Sequence, residues 1–168
     1  PGLSAVAWVN LAARLVGLPH RDAMQRSHMV LNYVGLEEER YRNVESFSTG
    51  MKQKVKFAQA LVHHPKLLLL DEPTAGLDPR GRDEMLALIR DVAHGKGIHV
   101  LLSTHILPEV EEVCDRVVVL NRGRIVAHDA MSALIAPPSS VYEVRVKGDA
   151  TLFARTLAGR GCSVEERP

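Results

Sequence analysis

Aromatic residues make up only 4% of this 168-residue chain, and cysteine is nearly absent. The two cysteines, Cys114 and Cys162, stand far apart, with no CxxC pair and no Cys/His ligand spacing. Neither a zinc site nor a disulfide framework is expected, and a reducing cytoplasm suits this usage. No charge of one sign dominates: 21 Lys+Arg against 20 Asp+Glu leave a formal net charge of +1. That balance lacks the basic footprint of a protein that grips a nucleic acid backbone, so no nucleic acid partner is expected. Long hydrophobic runs are missing too. Leu67–Leu70 has the length of a buried strand, far short of the ~20 residues that span a bilayer. No charged stretch followed by an apolar one marks a secretory signal at the N-terminus. The chain opens on Pro1 rather than Met, which reads as a piece of a longer protein.

What is present is an ordinary globular composition, 46% hydrophobic and 24% charged, with helical and strand patterns in alternation. Apolar spacing predicts a helix over 4–16, capped by Ser4 and stopped by Gly17 and Pro19. A second helix is expected from about Arg21 to Val34, ending at Gly35, followed by an exposed polar connection over 37–46. A third opens at Ser48-Thr49-Gly50, turns Met51, Val55, Ala58 and Val62 to one face, and closes at His63-His64-Pro65. KLLLLDEP then reads as a strand covered on both faces, ending in two acids. Asp78-Pro79 starts a helix with Met85, Leu88, Ile89 and Val92 inward and Gly95 as its C-cap. HVLLSTH is a second buried strand, and a short helix follows around Pro108 to Val113. RVVVLNRGRIVAHD is two strands about an Asn121-Arg122-Gly123 turn. Past Pro137-Pro138-Ser139-Ser140 the character changes: VYEVRVK alternates, a helix spans about 150–157, and a terminal strand is expected near Cys162. The whole predicts an α/β layered core with a mostly parallel sheet, then the start of a small α+β accessory domain.

Four short segments carry chemistry. Acids at the end of a buried parallel strand lie where open α/β sheets bind ligands. In phosphoryl-transfer sites one such acid holds Mg²⁺ and a neighbour orients the attacking water. Asp71 suits the first role and Glu72 the second. Ser48 and Gly50 at a helix start present a hydroxyl and amide N–H groups to an anion, although Ser48 also serves as an N-cap. Asp78 is a good N-cap for its own helix. His105, at a strand end, can both donate and accept a hydrogen bond. Their order and spacing are informative: 23 residues separate Ser48 from Asp71, 7 separate Asp71 from Asp78, and 33 separate Glu72 from His105.

In this arrangement the sequence resembles the ATP-binding-cassette (ABC) ATPase family. FSTGMKQ resembles the ABC signature, LLLLDEP the Walker B motif with its catalytic glutamate, AGLDP the D-loop and STH the switch histidine. The resemblance implies a partial P-loop NTPase fold of the ABC type, divided into part of the helical subdomain over 1–47, the signature helix and the C-terminal half of the core over 48–136, and a truncated accessory domain over 141–168. It implies ATP and Mg²⁺ as cofactors. Glu72 and His105 would be catalytic, Ser48, Gly50, Asp71 and Asp78 would contact nucleotide, and Asp71 would hold Mg²⁺ through water. The partners implied are a second nucleotide-binding subunit, identical or not, and transmembrane permease subunits at the cytoplasmic face of the cell membrane.

Two departures qualify the resemblance. Thr49 and Met51 replace residues of the commoner LSGGQ signature, and the STGMKQ form is similar to that of drug-, lipid- and polysaccharide-type exporters. More consequential, GxxxxGK[ST] is missing. The Gly95-Lys96 pair has Arg90 where the first glycine should be, and Gln25, Gln53 and Gln59 all lie in predicted helices. The phosphate-cradling loop and the glutamine loop are therefore expected upstream of Pro1, and this polypeptide alone is expected to be inactive and poorly stable. A non-transport ABC ATPase of the DNA-repair, chromosome or translation type is the alternative. The absence of a long heptad insertion, a basic tail and a second cassette weighs against it.

Overall fold

The computed structural model describes residues 2–135, 144 and 150–164. Two compact units divide the chain, Pro1–Met131 and Ser132–Pro168. The first begins with helices α1 (Ala5–Leu15) and α2 (His20–Tyr33). Ser4 caps α1 by accepting from the Ala7 amide at 3.3 Å. Gly17 and Gly35, with φ of 91° and 75°, follow the two helices in the left-handed turn that glycine adopts at least cost. The connection over 37–46 is mostly exposed. It contains two single 3₁₀ turns, Glu39–Tyr41 and Val44–Ser46, and is pinned to the start of α1 by a Ser4–Asn43 bridge.

Helix α3 (Thr49–Leu61) supplies Val55, Phe57, Ala58 and Leu61 to the core. It is followed by β1 (Leu67–Asp71), α4 (Pro79–Arg90) and β2 (His99–Ser103). The core gathers Ala5, Val9, Ala13, Leu31, Val55, Ala58, Leu68, Met85, Ile89 and Val92, so the three N-terminal helices, β1 and α4 share one apolar interior. At roughly 25 cal/mol per Å² of apolar surface removed from water, that shared burial is the main force holding the unit together.

Strands β1 and β2 pair in parallel, with Leu67 opposite His99 and Asp71 opposite Ser103. Here two expectations are corrected. The apolar strand is not covered on both faces: Leu68 is buried, but Leu67 is 55% exposed and Leu69 and Leu101 are 65% exposed. Among the described residues no element covers that side, and an unbroken leucine run cannot reveal in advance that one face lacks its layer. Gly95 does not cap α4 either. The helix runs on into a π turn over Asp91–Gly95, which postpones its end. The left-handed residue is Gly97, at φ 65°, beside the buried Ile98.

Helix α5 (Leu107–Val113) leads to an antiparallel hairpin of β3 (Arg116–Asn121) and β4 (Arg124–Ala130). Arg122 and Gly123 both have positive φ, 49° and 74°, as a two-residue hairpin turn matching strand twist requires. Helix α6 (Met131–Ile135) crosses the boundary between the units, and the second unit contains α7 (Ala150–Ala158). The alternating strand expected at VYEVRVK lies outside the described residues, apart from Val144. The terminal strand expected near Cys162 is not formed over 162–164. Among the described residues no helix is long and apolar enough to cross a membrane.

Candidate functional site

The register of β1 and β2 determines what meets at their C-terminal ends. With Asp71 opposite Ser103, Glu72 follows one strand and Thr104 and His105 follow the other. The Ser103 hydroxyl donates to Asp71 Oδ1. His105 Nδ1 lies 2.7 Å from Glu72 Oε1. The structure thus brings Asp71, Glu72 and His105 to one edge of the sheet. The hydrogen bond to Glu72 and the charge of that carboxylate raise the imidazole pKa above its ordinary 6.5. Glu72 Oε2 carries no hydrogen bond among the described residues. The His105 side chain is 79% exposed, so its Nε2 is open to an incoming group.

The backbone at Glu72 is unusual. Its φ is 45°, in the left-handed region where a non-glycine residue costs roughly 1–2 kcal/mol. Two hydrogen bonds retain it: its amide donates to the Ser103 carbonyl at 3.0 Å, and its carbonyl accepts from the Ala75 amide at 3.1 Å. The chain there turns the carboxylate out of the strand line toward His105.

Ser48, Gly50 and Asp78 form a second cluster. Ser48 caps α3, accepting from the Met51 amide at 3.2 Å, and Asp78 caps α4, accepting from the Gly81 amide at 3.2 Å. Ser48 is exposed. The amides of Thr49 and Gly50 have no partner among the described residues, as at any helix start. The two helix starts are neighbours: a Cβ on Gly76 would lie 3.6 Å from Thr49 Cγ2, and one on Gly50 would lie 3.7 Å from Leu77 Cδ2. Lys54 of α3 reaches Glu84 of α4 at 2.8 Å, and Arg80 joins the same carboxylate at 3.0 Å. No hydrogen bond or ion pair among the described residues joins Ser48, Gly50 or Asp78 to Glu72 or His105.

One residue at this site went unrecognised in the sequence. Glu109 of α5 is 1% exposed. Its Oε2 accepts from the Thr74 hydroxyl at 2.9 Å and the Thr104 hydroxyl at 3.0 Å, and its Oε1 lies 3.4 Å from Arg82 Nε. Among the described residues no group of three or more His, Cys, Asp or Glu side chains converges as a metal cage. The Asp71 carboxylate, which accepts from the Ser103 hydroxyl, is a hard oxygen donor, and a single such group fits a Mg²⁺ that stays largely hydrated rather than one held by protein alone.

Residues 6–75 match the ABC transporter family. The linearmycin resistance ATP-binding protein LnrL of Bacillus subtilis is 37% identical over 159 residues, covering 95% of this chain and 48% of that protein. The bacitracin transport ATP-binding protein BcrA of Bacillus licheniformis is 42% identical over 113 residues, 67% of this chain and 36% of that protein. The structure of cbiO1 from Clostridium perfringens, part of the ABC transporter complex cbiONQ, superposes with a TM-score of 0.73 at 32% identity, over 82% of this chain and 55% of that one. The matches therefore span 36–55% of the lengths of these relatives. A partial P-loop NTPase fold and this ancestry place the chain in the ABC transporter ATP-binding family.

Proposed function

We propose that the chain is the C-terminal part of an ATP-hydrolysing subunit that drives transport across a membrane, with export as the direction. The observation that carries this reading is the pairing of Glu72 and His105 at 2.7 Å at the ends of two parallel strands, beside Asp71. With Nδ1 donating to Glu72, the outward Nε2 of a protonated imidazole can donate to a terminal phosphate oxygen. The raised imidazole pKa favours that protonated form. Glu72 Oε2 remains available to orient a water for in-line attack, so the protein's part is positioning and charge stabilisation. Asp71 would hold Mg²⁺ through water, and the bound ion would neutralise charge developing on the phosphates.

Ser48 and the unpartnered amides of Thr49 and Gly50 face outward as an anion site for the terminal phosphate of an ATP held by a second subunit, and Asp78 would cross the same interface. Residues 1–47 would belong to the helical subdomain and 141–168 to an accessory domain. Export is supported by the resistance and antibiotic-transport relatives and by the STGMKQ form of the signature. Membrane-spanning partners at the cytoplasmic face would receive the motion. The test uses the protein extended by the sequence encoded upstream of Pro1. Glu72→Gln is expected to abolish ATP turnover while Mg-ATP binding persists, and hydrolysis near the parent rate defeats the assignment. Affinity capture should recover membrane-spanning subunits. Recovery of only nucleic acid or ribosomes would instead favour the non-transport alternative.

A further inference from the structure

Burying a carboxylate is expensive unless it is paired and hydrogen-bonded, and for stability alone an apolar residue of similar volume often does as well. Glu109 is buried nonetheless, and its partners come from three different elements. Thr74 lies two residues beyond Glu72 in the turn leaving β1. Thr104 immediately precedes His105 at the exit of β2, and its hydroxyl also accepts from the Ile106 amide at 3.2 Å. Arg82 lies on α4, four residues after Asp78. A single oxygen, Oε2, thus holds both loops that carry the facing pair, through bonds of 2.9 and 3.0 Å. The pairing with Arg82 at 3.4 Å is looser, and among the described residues neither Arg82 Nε nor Glu109 Oε1 has a hydrogen-bond partner.

We infer that Glu109 is a positioning residue: it clamps the Thr74 and Thr104 loops together so that His105 stays against Glu72. Its importance for hydrolysis rests on the function proposed above, but the geometric claim holds with no nucleotide present and is tested separately. The probe is the His105 imidazole, followed by NMR titration in the 168-residue chain and assigned by comparison with a His105→Gln sample. Glu72→Gln removes the partner and sets the unpaired midpoint.

Glu109→Gln and Thr104→Val are each expected to lower the His105 midpoint toward the Glu72→Gln value. Thr104→Val is the decisive variant, because it keeps every charge and preserves side-chain volume while removing the bond to Glu109, together with the bond the hydroxyl accepts from the Ile106 amide. It also keeps the inference testable should Glu109→Gln fold poorly. Glu112→Gln, which removes the α5 carboxylate bonded to Arg90 at 2.6 Å, should leave the midpoint unmoved. An unchanged midpoint in Thr104→Val overturns the inference, even if Glu109→Gln lowers it, because the effect would then be only the field of the buried charge. An equal fall in Glu112→Gln overturns it too, since general loosening would account for everything. If the clamp is confirmed while the extended Glu72→Gln protein hydrolyses ATP normally, the proposed function fails and the positioning role stands.

Discussion

Ser48 allows its capping role and its proposed phosphate role to be pulled apart. Its hydroxyl accepts from the Met51 amide at 3.2 Å, so Ser48→Ala removes an N-cap, a loss typically worth about 1 kcal/mol. For a cooperative unit the size of residues 1–131, that corresponds to a fall of roughly 3–5 °C in the melting midpoint. Ser48→Asp keeps the capping oxygen. Its negative charge at the first turn of α3 adds about 0.3–1 kcal/mol through the helix dipole, and α3 has no acidic residue in its first turn to compete. The aspartate variant should therefore melt above the alanine variant, at or near the parent midpoint. In the upstream-extended protein the ranking changes. A carboxylate aimed at a phosphate repels it, so Ser48→Asp should lose ATP hydrolysis at least as completely as Ser48→Ala. Thermal unfolding by circular dichroism and a phosphate-release assay on the same three proteins decide the matter. An aspartate variant that hydrolyses ATP at the parent rate refutes the phosphate role, and one that melts below Ser48→Ala refutes the capping argument.

Three further predictions concern the same chain. Met85 is 1% exposed in the core, so Met85→Ala should cost about 2–5 kcal/mol, read as a lower denaturant midpoint at an unchanged slope. The folded His105 pKa is raised by Glu72, so the pair stabilises fully below the unfolded imidazole value near 6.5 and loses that contribution as pH rises through the folded value. The melting difference between the parent and His105→Gln should accordingly be largest near pH 6 and shrink in alkali, and a difference that grows with pH contradicts the pairing. Finally, without a GxxxxGK[ST] loop, the 168-residue polypeptide should show no micromolar affinity for Mg-ATP in calorimetric titration.

The helix starts were legible because capping is local: Ser4, Ser48 and Asp78 each precede an apolar period, and each accepts an amide N–H in the structure. The meeting of Glu72 with His105 was not legible from spacing. It depends on a register placing Asp71 opposite Ser103, and only the family resemblance suggested it. Glu109 escaped notice because PEVEEV offers three glutamates in one short helix, and nothing in their order tells which one turns inward. The glycines of Gly95-Lys96-Gly97 posed a similar ambiguity, resolved by a π turn that no propensity scale anticipates. Leu67 and Leu69 mark another kind of limit, since a strand's sequence encodes the covering it is suited to and says nothing of whether the layer is there.

The left-handed peptide at Glu72 has a consequence for how changes at that position should be weighed. A polypeptide shaped for endurance alone would carry glycine there, relieving the backbone and giving up only an exposed ion pair. Under the proposed catalytic role, keeping an acid in this left-handed position at the strand exit would trade robustness for reactivity. Tolerance at position 72 would then have to be read on two separate scales, abundance and turnover, and a substitution that improves the first is expected to ruin the second.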